Sequence, residues 1–219
     1  MNEELDKKLC EKYPKIFRNR HGDPTQTAMC WGFECGDGWY NILDILCGNI
    51  QWHIDQTRNQ KAEALRYNRA MRKVMKTGDN TALVNYYNKL YTKEYAIEQA
   101  EKDVAGKAYK FKAVIDECPQ VVAIQVKEKF GTLRFYFEPN GVSMDIWPII
   151  DGISTACVQR AEYRSSMTCE VCGNEQFARS KEKWDTSVKL TFRGSWMKTL
   201  CSTCAKGKGY QAVEESEDV

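Results

Sequence analysis

The sequence predicts an α+β fold in which a small sheet, built around one β-hairpin, is packed by helices. Three patterns support this class. Apolar residues recur at helical spacing after Asp37, alternate at strand spacing between Pro119 and Glu138, and are followed by two Cys-x-x-Cys pairs near the C-terminus. The predicted domains are a core over residues 1–166 with a helical arm at about 56–105, a cysteine ribbon over 167–208, and a disordered acidic tail over 209–219.

Composition narrows the classes of protein that this chain could be. With 219 residues, 42% of them hydrophobic, the chain can bury one sizeable core and a small satellite. A net charge of +2 means that any attraction to an anionic partner must be local. No apolar run approaches the roughly 20 residues of a membrane span, and the N-terminus lacks the apolar segment of a secretory signal. We expect a soluble cytoplasmic protein with reduced cysteines.

The N-terminal third predicts a short helix and then a central one. Residues 3–13 suit a helix capped by Asn2. A glycine-rich aromatic loop then leads to Asp37, which is expected to cap the central helix. Trp39, in the first turn of that helix, is expected to be packed, and Trp31 to be exposed. Three cysteines of this region, Cys30, Cys35 and Cys47, could hold a second metal, but no second close pair lies nearby, so we expect small apolar side chains.

The arm predicts a helical hairpin with an ordered charge pattern. Glu63 is the only acid between residues 56 and 76, and seven cations fall within an arc of roughly 140° when each residue advances about 100°. These are Arg58, Lys61, Arg66, Arg69, Arg72, Lys73 and Lys76. The stripe could meet phosphates, an acidic protein surface or only solvent, and the near absence of acids weakens the interpretation as a merely solvated face. A further helix, predicted over about 81–104, completes the hairpin.

Residues 119–138 give the clearest sheet signal. Val122, Ile124 and Val126 alternate on one strand and Leu133, Phe135 and Phe137 on the next, with a Lys-Phe-Gly-Thr turn between them. The opposite face is polar yet aromatic. We therefore predict a ligand-binding surface that combines this face with the aromatic loop, made of Trp31, Phe33, Trp39, Lys127, Arg134 and Tyr136. A helix starting at Asp145 is expected to cover the hairpin.

The two cysteine pairs carry the strongest chemical signal in the chain. Each places two thiols on one side of a tight turn, and the four residues are Cys169, Cys172, Cys201 and Cys204. Four thiolates make a closed tetrahedral zinc site, which leaves no position for substrate, so the expected ion is a structural Zn²⁺. We expect loss of one of these cysteines to unfold the ribbon and to leave the core helices intact.

Catalysis has little support in the sequence. It contains no Ser-His-Asp set, no phosphate-cradling glycine loop and no open metal site, and both histidines, His21 and His53, fit non-catalytic roles. Glu34 and Asp37 could form a carboxylate pair, but Asp37 already has the capping role. We therefore assign no catalytic residue.

Several strings resemble a group of small accessory proteins of tailed bacteriophages. They are KYPKIF at residues 12–17, WGFECGDGWY at 31–40, QVKEKFGTLRFY at 125–136 and the double cysteine pair. The resemblance covers most of the chain outside the arm and lends no catalytic residues. It implies a protein made in the cytoplasm of an infected bacterium, where accessory proteins often blunt host defence or manage nucleic acid.

Two function classes therefore remain, with an enzyme as the third and weakest. The first is a counter-defence binding protein that sequesters a nucleotide signal or blocks a host protein through the predicted ligand surface. The second is a nucleic-acid-binding protein that uses the basic arm and the zinc ribbon. Neither needs a membrane, and the sequence leaves the oligomeric state open.

Overall fold

The computed structural model describes residues 1–107, 109–139, 152–175 and 188–212. Helices and two three-stranded sheets make it an α+β protein, as predicted. The chain divides into two compact units. The first unit contains Met1–His53 and Pro119–Val219, and the second contains Ile54–Cys118. The ribbon thus shares a unit with the N-terminal segment and is not the separate domain that the sequence predicts.

The described residues form six α-helices and six strands. The helices are α1 (Glu3–Lys12), α2 (Tyr40–Thr77), α3 (Thr81–Tyr87), α4 (Lys93–Val104), α5 (Gly152–Ser165) and α6 (Ser202–Lys208). The strands are β1 (Phe33–Glu34), β2 (Val121–Lys129), β3 (Thr132–Pro139), β4 (Lys189–Arg193), β5 (Trp196–Leu200) and β6 (Gln211–Ala212). Short 3-10 turns lie at Ala28–Trp31, Asp37–Trp39 and Ala105–Lys107. None of the described helices combines the length and apolar character that crossing a bilayer requires.

The first sheet has the strand order β1-β2-β3. The predicted hairpin forms between β2 and β3, with Val126 opposite Phe135 and Lys127 opposite Arg134. A bulge between Ala123 and Gln125 interrupts the alternation predicted for β2. Strand β1, which the sequence did not predict, pairs with β2 in parallel and brings the aromatic loop to the edge of the sheet.

Helix α5 covers the outer edge of β3. The hydroxyl of Ser165 accepts a hydrogen bond from the Leu133 N–H at 2.8 Å, and the Glu162 carboxylate accepts one from the Phe135 N–H at 3.3 Å. Two edge N–H groups are therefore satisfied by side chains instead of by another strand. The predicted helix start at Asp145 lies outside the described residues.

The N-terminal segment packs around the first half of α2. Asn2 caps α1 as predicted, its side chain accepting from the Leu5 N–H at 2.9 Å. The predicted cap at Asp37 is wrong, because its carboxylate accepts instead from the backbone and side-chain nitrogens of Asn2, at 2.7 and 2.8 Å. A 3-10 turn precedes α2, so Trp39 ends that turn and is fully buried, whereas Trp31 is 69% exposed. Both tryptophans have the environment predicted for them.

The second unit contains the later part of α2, together with α3 and α4. The sequence predicts a central helix and a separate arm helix from about residue 56, but α2 is continuous for 38 residues. The single helix predicted over 81–104 is two, α3 and α4. Tyr67, Tyr86 and Tyr87 pack edge to face, and the hydroxyls of Tyr67 and Tyr87 both donate to Asp103, at 2.8 and 2.7 Å. Tyr67 and Tyr86 are buried in the core of this unit and Tyr87 packs against them, whereas Tyr91 and Tyr95 are exposed.

The ribbon is the second sheet, with the strand order β5-β4-β6. Strands β4 and β5 are antiparallel and pair from Lys189 with Leu200 to Arg193 with Trp196. The predicted tail over 209–219 starts too early, because Gln211 and Ala212 pair with β4 as strand β6. Residues 213–219 of that tail lie outside the described residues.

Candidate metal centre and cationic groove

The four predicted cysteines converge on one point. Their Sγ atoms all lie within 4.8 Å of one another, and those of Cys172 and Cys201 are 3.7 Å apart. Cys169 and Cys172 come from the turn that follows α5, while Cys201 precedes α6 and Cys204 lies inside it. A metal–sulfur bond of about 2.3 Å in a tetrahedral site sets the sulfurs about 3.8 Å apart. The cluster is therefore compatible with one bound metal ion.

Backbone N–H groups point at one sulfur of this cluster. Burial raises the pKa of Cys169, but hydrogen bonds from the N–H groups of Cys172, Cys201 and Val171 outweigh it and leave the pKa below its ordinary value. Burial, followed by hydrogen bonds with the neighbouring sulfurs, raises the pKa of Cys204. Four thiols this close cannot all ionise in the absence of a cation, because the negative charges would repel one another. A bound cation stabilises the thiolates and lowers the pKa values of all four.

Glu170, between the first two cysteines, joins the metal centre to the aromatic loop. Its side chain is buried, and its carboxylate accepts from the Gly36 N–H at 3.0 Å and from the Lys198 ammonium at 2.7 Å. Its carbonyl accepts from the Gly38 N–H at 2.9 Å. Trp39 adds a fourth contact, because its indole N–H donates to the Thr168 carbonyl at 2.9 Å. The loop and the first cysteine turn therefore form one packed body.

Two glycines make this close approach possible. A Cβ atom on Gly36 would lie 2.2 Å from the Glu170 carbonyl oxygen. One on Gly38 would lie 2.3 Å from the Cys169 carbonyl oxygen and 2.4 Å from the Gly173 nitrogen. All three neighbours are backbone atoms, which cannot rotate away as a side chain can. The glycines of the loop are thus required by packing against the metal centre.

The alternative of a second metal held by Cys30, Cys35 and Cys47 gains no support. Among the described residues, only the Cys169 cluster brings three or more potential ligands within bonding reach of one ion. Burial raises the pKa of Cys35 to about 12 and that of Cys47 well above its ordinary value. Both are buried thiols, as expected of small apolar side chains.

The predicted ligand surface is not assembled as proposed from the sequence. Phe33 and Trp39 are buried in the core, and only Trp31 among the three loop aromatics faces solvent. The other three predicted residues do share the polar face of the first sheet. The Lys127 ammonium lies 5.4 Å from the Tyr136 ring centre, and Arg134 lies 3.8 Å from Glu162. This combination is wrong as one surface, because Trp39 packs against the segment before the cysteine turn and Phe33 packs against Phe17.

The seven stripe residues of α2 have different surroundings. Arg58 and Lys61 lie near acids, 3.9 Å from Asp55 and 3.8 Å from Glu117. Arg72 stacks on Phe111 at 5.7 Å, and Lys76 is exposed. Arg66, Arg69 and Lys73 line a groove of about 440 Å³ in the second unit. The stripe therefore contains a three-residue subset that faces a concave surface.

The groove combines cations with an apolar floor. Lys89, from the turn after α3, joins the three cations of α2, and Ala70, Ala82, Tyr86 and Leu90 supply apolar surface. Within the described part of the chain, none of these four cations lies within 4 Å of a carboxylate. The one acid of the lining, Glu63, has its own cation, since the Lys112 ammonium donates to it at 2.8 Å and lowers its pKa.

Two residues of these sites were not predicted from the sequence: Lys89 of the groove and Glu170 beside the metal centre. Lys89 lies outside the helical stripe, and only the folding of α3 against α2 brings it to the groove. Glu170 could have been noticed, because an acid inside a Cys-x-x-Cys pair adds negative charge to a cluster of thiolates and needs a partner such as Lys198.

Comparisons of this chain with models of protein families, with curated proteins and with solved structures find no match.

Proposed function

We propose that this chain is a zinc-containing binding protein that holds a nucleotide-type ligand in the groove of its second unit. The groove supports this reading best, because four cations, none of them within 4 Å of a carboxylate in the described part of the chain, line an apolar and aromatic floor. A nucleotide is complementary to both features, because its phosphate group carries several negative charges and its base is flat and can stack on an apolar surface. No residue is assigned a catalytic role.

Zinc is the ion that best suits the metal centre. Soft thiolate ligands in tetrahedral geometry favour Zn²⁺ or iron–sulfur chemistry over the oxygen-preferring Mg²⁺ and Ca²⁺. All four positions come from the protein, so the ion has a structural role and coordinates no substrate. It would hold together a ribbon whose buried core, within the described residues, has only Val188, Leu200, Ala205 and Tyr210 besides Cys169 and Cys201.

Elemental analysis tests the ion. We expect one zinc per chain in the purified protein, no visible absorption from iron–sulfur chemistry, and loss of the zinc in a Cys201→Ser variant. Full retention of zinc by that variant, or a protein with no metal, would contradict the assignment.

The groove matches a nucleotide in size and chemistry. Small-ligand pockets usually measure about 300 to 1,000 Å³, and this groove has about 440 Å³. Arg66, Arg69 and Lys73 are spaced to lie along one side of α2, where they can meet successive phosphates while Lys89 approaches from the facing turn. Asn85 lines the same groove, and its amide can both donate to and accept from the edge of a base.

Sequestration of a nucleotide signal would make the chain a counter-defence protein. The resemblance to accessory proteins of tailed bacteriophages supports this context, in which the protein acts in the cytoplasm of an infected host. Blocking a host protein is the alternative within the same class. A nucleic-acid-binding protein remains the second candidate, since Arg72 and Lys76 extend the cationic surface of α2 beyond the groove.

Calorimetric titration with ATP, ADP and cyclic dinucleotides tests the proposal on the full chain. Arg66→Gln, Arg69→Gln and Lys73→Gln together should weaken binding at least about 100-fold, because each removes a charged hydrogen-bond donor worth about 1.5 to 3 kcal/mol. The matched control replaces Arg58, Lys61 and Lys76 with glutamine, which changes the net charge equally outside the groove and should weaken binding less than about threefold.

Two outcomes would separate the candidates. Equal loss in both triple variants, with tighter binding to long oligonucleotides than to nucleotides, would favour the nucleic-acid function of the whole stripe. If no nucleotide raises the melting temperature or gives a heat of binding, the nucleotide proposal is wrong.

A further inference from the structure

Two hairpin turns of the first unit each present an exposed aromatic side chain. Phe130, in the turn between β2 and β3, is 62% exposed, and Trp196, at the start of β5, is 69% exposed. Both line one groove of about 290 Å³, together with Lys129 and Met197. Large aromatic side chains are seldom left this exposed side by side unless they contact a partner.

The backbone at Phe130 is unfavourable for its residue type. Its φ is +54°, and the following Gly131 has a φ of +76°. Hairpin turns with two positive φ angles normally use Asn-Gly, because a bulky side chain in the left-handed region is strained. Glycine at 131 is explained by packing, since a Cβ there would lie 2.4 Å from Leu190. Folding gives no such reason for phenylalanine at 130, because its ring is mostly in solvent.

The two turns are held against each other. The Thr199 hydroxyl donates to the Gly131 carbonyl at 2.6 Å, which joins β5 to the turn that carries Phe130. Within that turn, the Gly131 N–H donates to the Glu128 carboxylate at 2.7 Å. The groove between the aromatics is therefore formed before any ligand binds, and the one acid in its lining is already engaged.

The described residues of the ribbon carry an excess of cations, and two cations lie beside the exposed aromatics, since Lys129 lines the groove and Arg193 pairs with Trp196. Residues 188–212 contain five cations and no acid. They are Lys189, Arg193, Lys198, Lys206 and Lys208. Lys198 is paired with Glu170, whereas the other four are exposed, as is Lys129 beside Phe130. The groove lining itself contains one acid, Glu128, but the described residues 188–212 carry cations alone, whereas solvated surfaces usually mix both signs.

We propose that this surface binds single-stranded nucleic acid, with bases stacked on Phe130 and Trp196 and the backbone following the surrounding cations. Aromatic platforms in a cationic groove are the recurring means of binding such strands without sequence preference. Duplexes fit less well, because their bases are already stacked and cannot reach the two rings. The site is distinct from the nucleotide groove, which lies in the second unit, and it does not depend on the function proposed for that groove.

Fluorescence anisotropy with a labelled 12-residue oligo-deoxythymidine tests this inference. The protein used should carry glutamine at Arg66, Arg69 and Lys73, so that the groove of the second unit contributes little. Trp196→Ala and Phe130→Asn should each weaken binding about tenfold or more. Trp52→Ala is the matched control, since Trp52 is 66% exposed in the first unit and does not line this groove, and it should change binding less than about twofold.

Phe130→Asn separates binding from folding. Asparagine tolerates the left-handed region, so the melting temperature should stay the same or rise while affinity falls. The inference is overturned if the oligonucleotide fails to bind at about 50 mM salt, if it binds no better than a duplex of the same length, or if Trp196→Ala and Trp52→Ala bind equally well.

Discussion

Cys169→Ser is expected to release the metal and to destabilise the first unit as a whole. Structural zinc commonly contributes about 10 to 16 kcal/mol of apparent binding free energy, which is comparable to or larger than the entire stability of a typical domain, about 5 to 15 kcal/mol. Cys169 is fully buried, and the next residue, Glu170, accepts hydrogen bonds from both loop glycines. The sequence-based expectation that only the ribbon would unfold is therefore revised.

Hydrogen exchange resolved along the chain measures this effect. In the variant, and in the wild type treated with a zinc chelator, protection should fall in β2, β3 and the start of α2 as well as in β4 and β5. Exchange that increases only over residues 188–212 would show that the ribbon unfolds independently and that the loop contacts are dispensable. Adding zinc back to the chelated wild type, but not to the variant, should restore protection.

Gly38→Ala is expected to lower the free energy of unfolding by about 4 kcal/mol or more, a loss that single substitutions reach only through severe steric clash or strain. The added methyl group would lie 2.3 Å from the Cys169 carbonyl oxygen and 2.4 Å from the Gly173 nitrogen, so the cysteine turn must move away from the loop. That movement would also break the hydrogen bond from the Gly38 N–H to the Glu170 carbonyl. Chemical denaturation should show the loss, and a competing chelator should remove zinc from the variant at lower concentration.

Gly207→Ala is the matched control, because Gly207 lies in the same unit of the protein. A Cβ at Gly207 meets nothing within 4 Å, and the residue lies inside α6. Alanine there should hold or raise stability by about 0.5 to 1 kcal/mol, because glycine is a poor helix former. If the Gly38→Ala variant is as stable as the Gly207→Ala variant, close packing between the cysteine turn and the loop does not contribute to stability and the prediction is wrong.

Local patterns in the sequence predicted the parts of this fold that depend on near neighbours. The hairpin of β2 and β3, the Asn2 cap and the convergence of four cysteines all follow from spacing and residue type. The packed Trp39 followed from its place at the start of a helix with one apolar face.

The features that were missed depend on contacts between distant segments. The pairing of β1 with β2 joins Phe33 to Val126, and a two-residue strand carries no periodic signal. Asp37 looked like a helix cap, but the chain brings Asn2 to its carboxylate instead. Phe33 was predicted to lie on a ligand surface, because the sequence does not distinguish an aromatic loop residue that packs in the core from one that binds a ligand. Its burial depends on long-range contacts such as that with Phe17, whose ring centre lies 4.9 Å away.

The covered edge of β3 bears on the tendency of this protein to aggregate. An open strand edge is a template on which a second molecule can add its own strand, the first step of fibrillar aggregation. Ser165 and Glu162 occupy the N–H groups that such a strand would use. A chain that loses these two side chains would therefore be expected to precipitate on storage long before its melting temperature revealed any weakness.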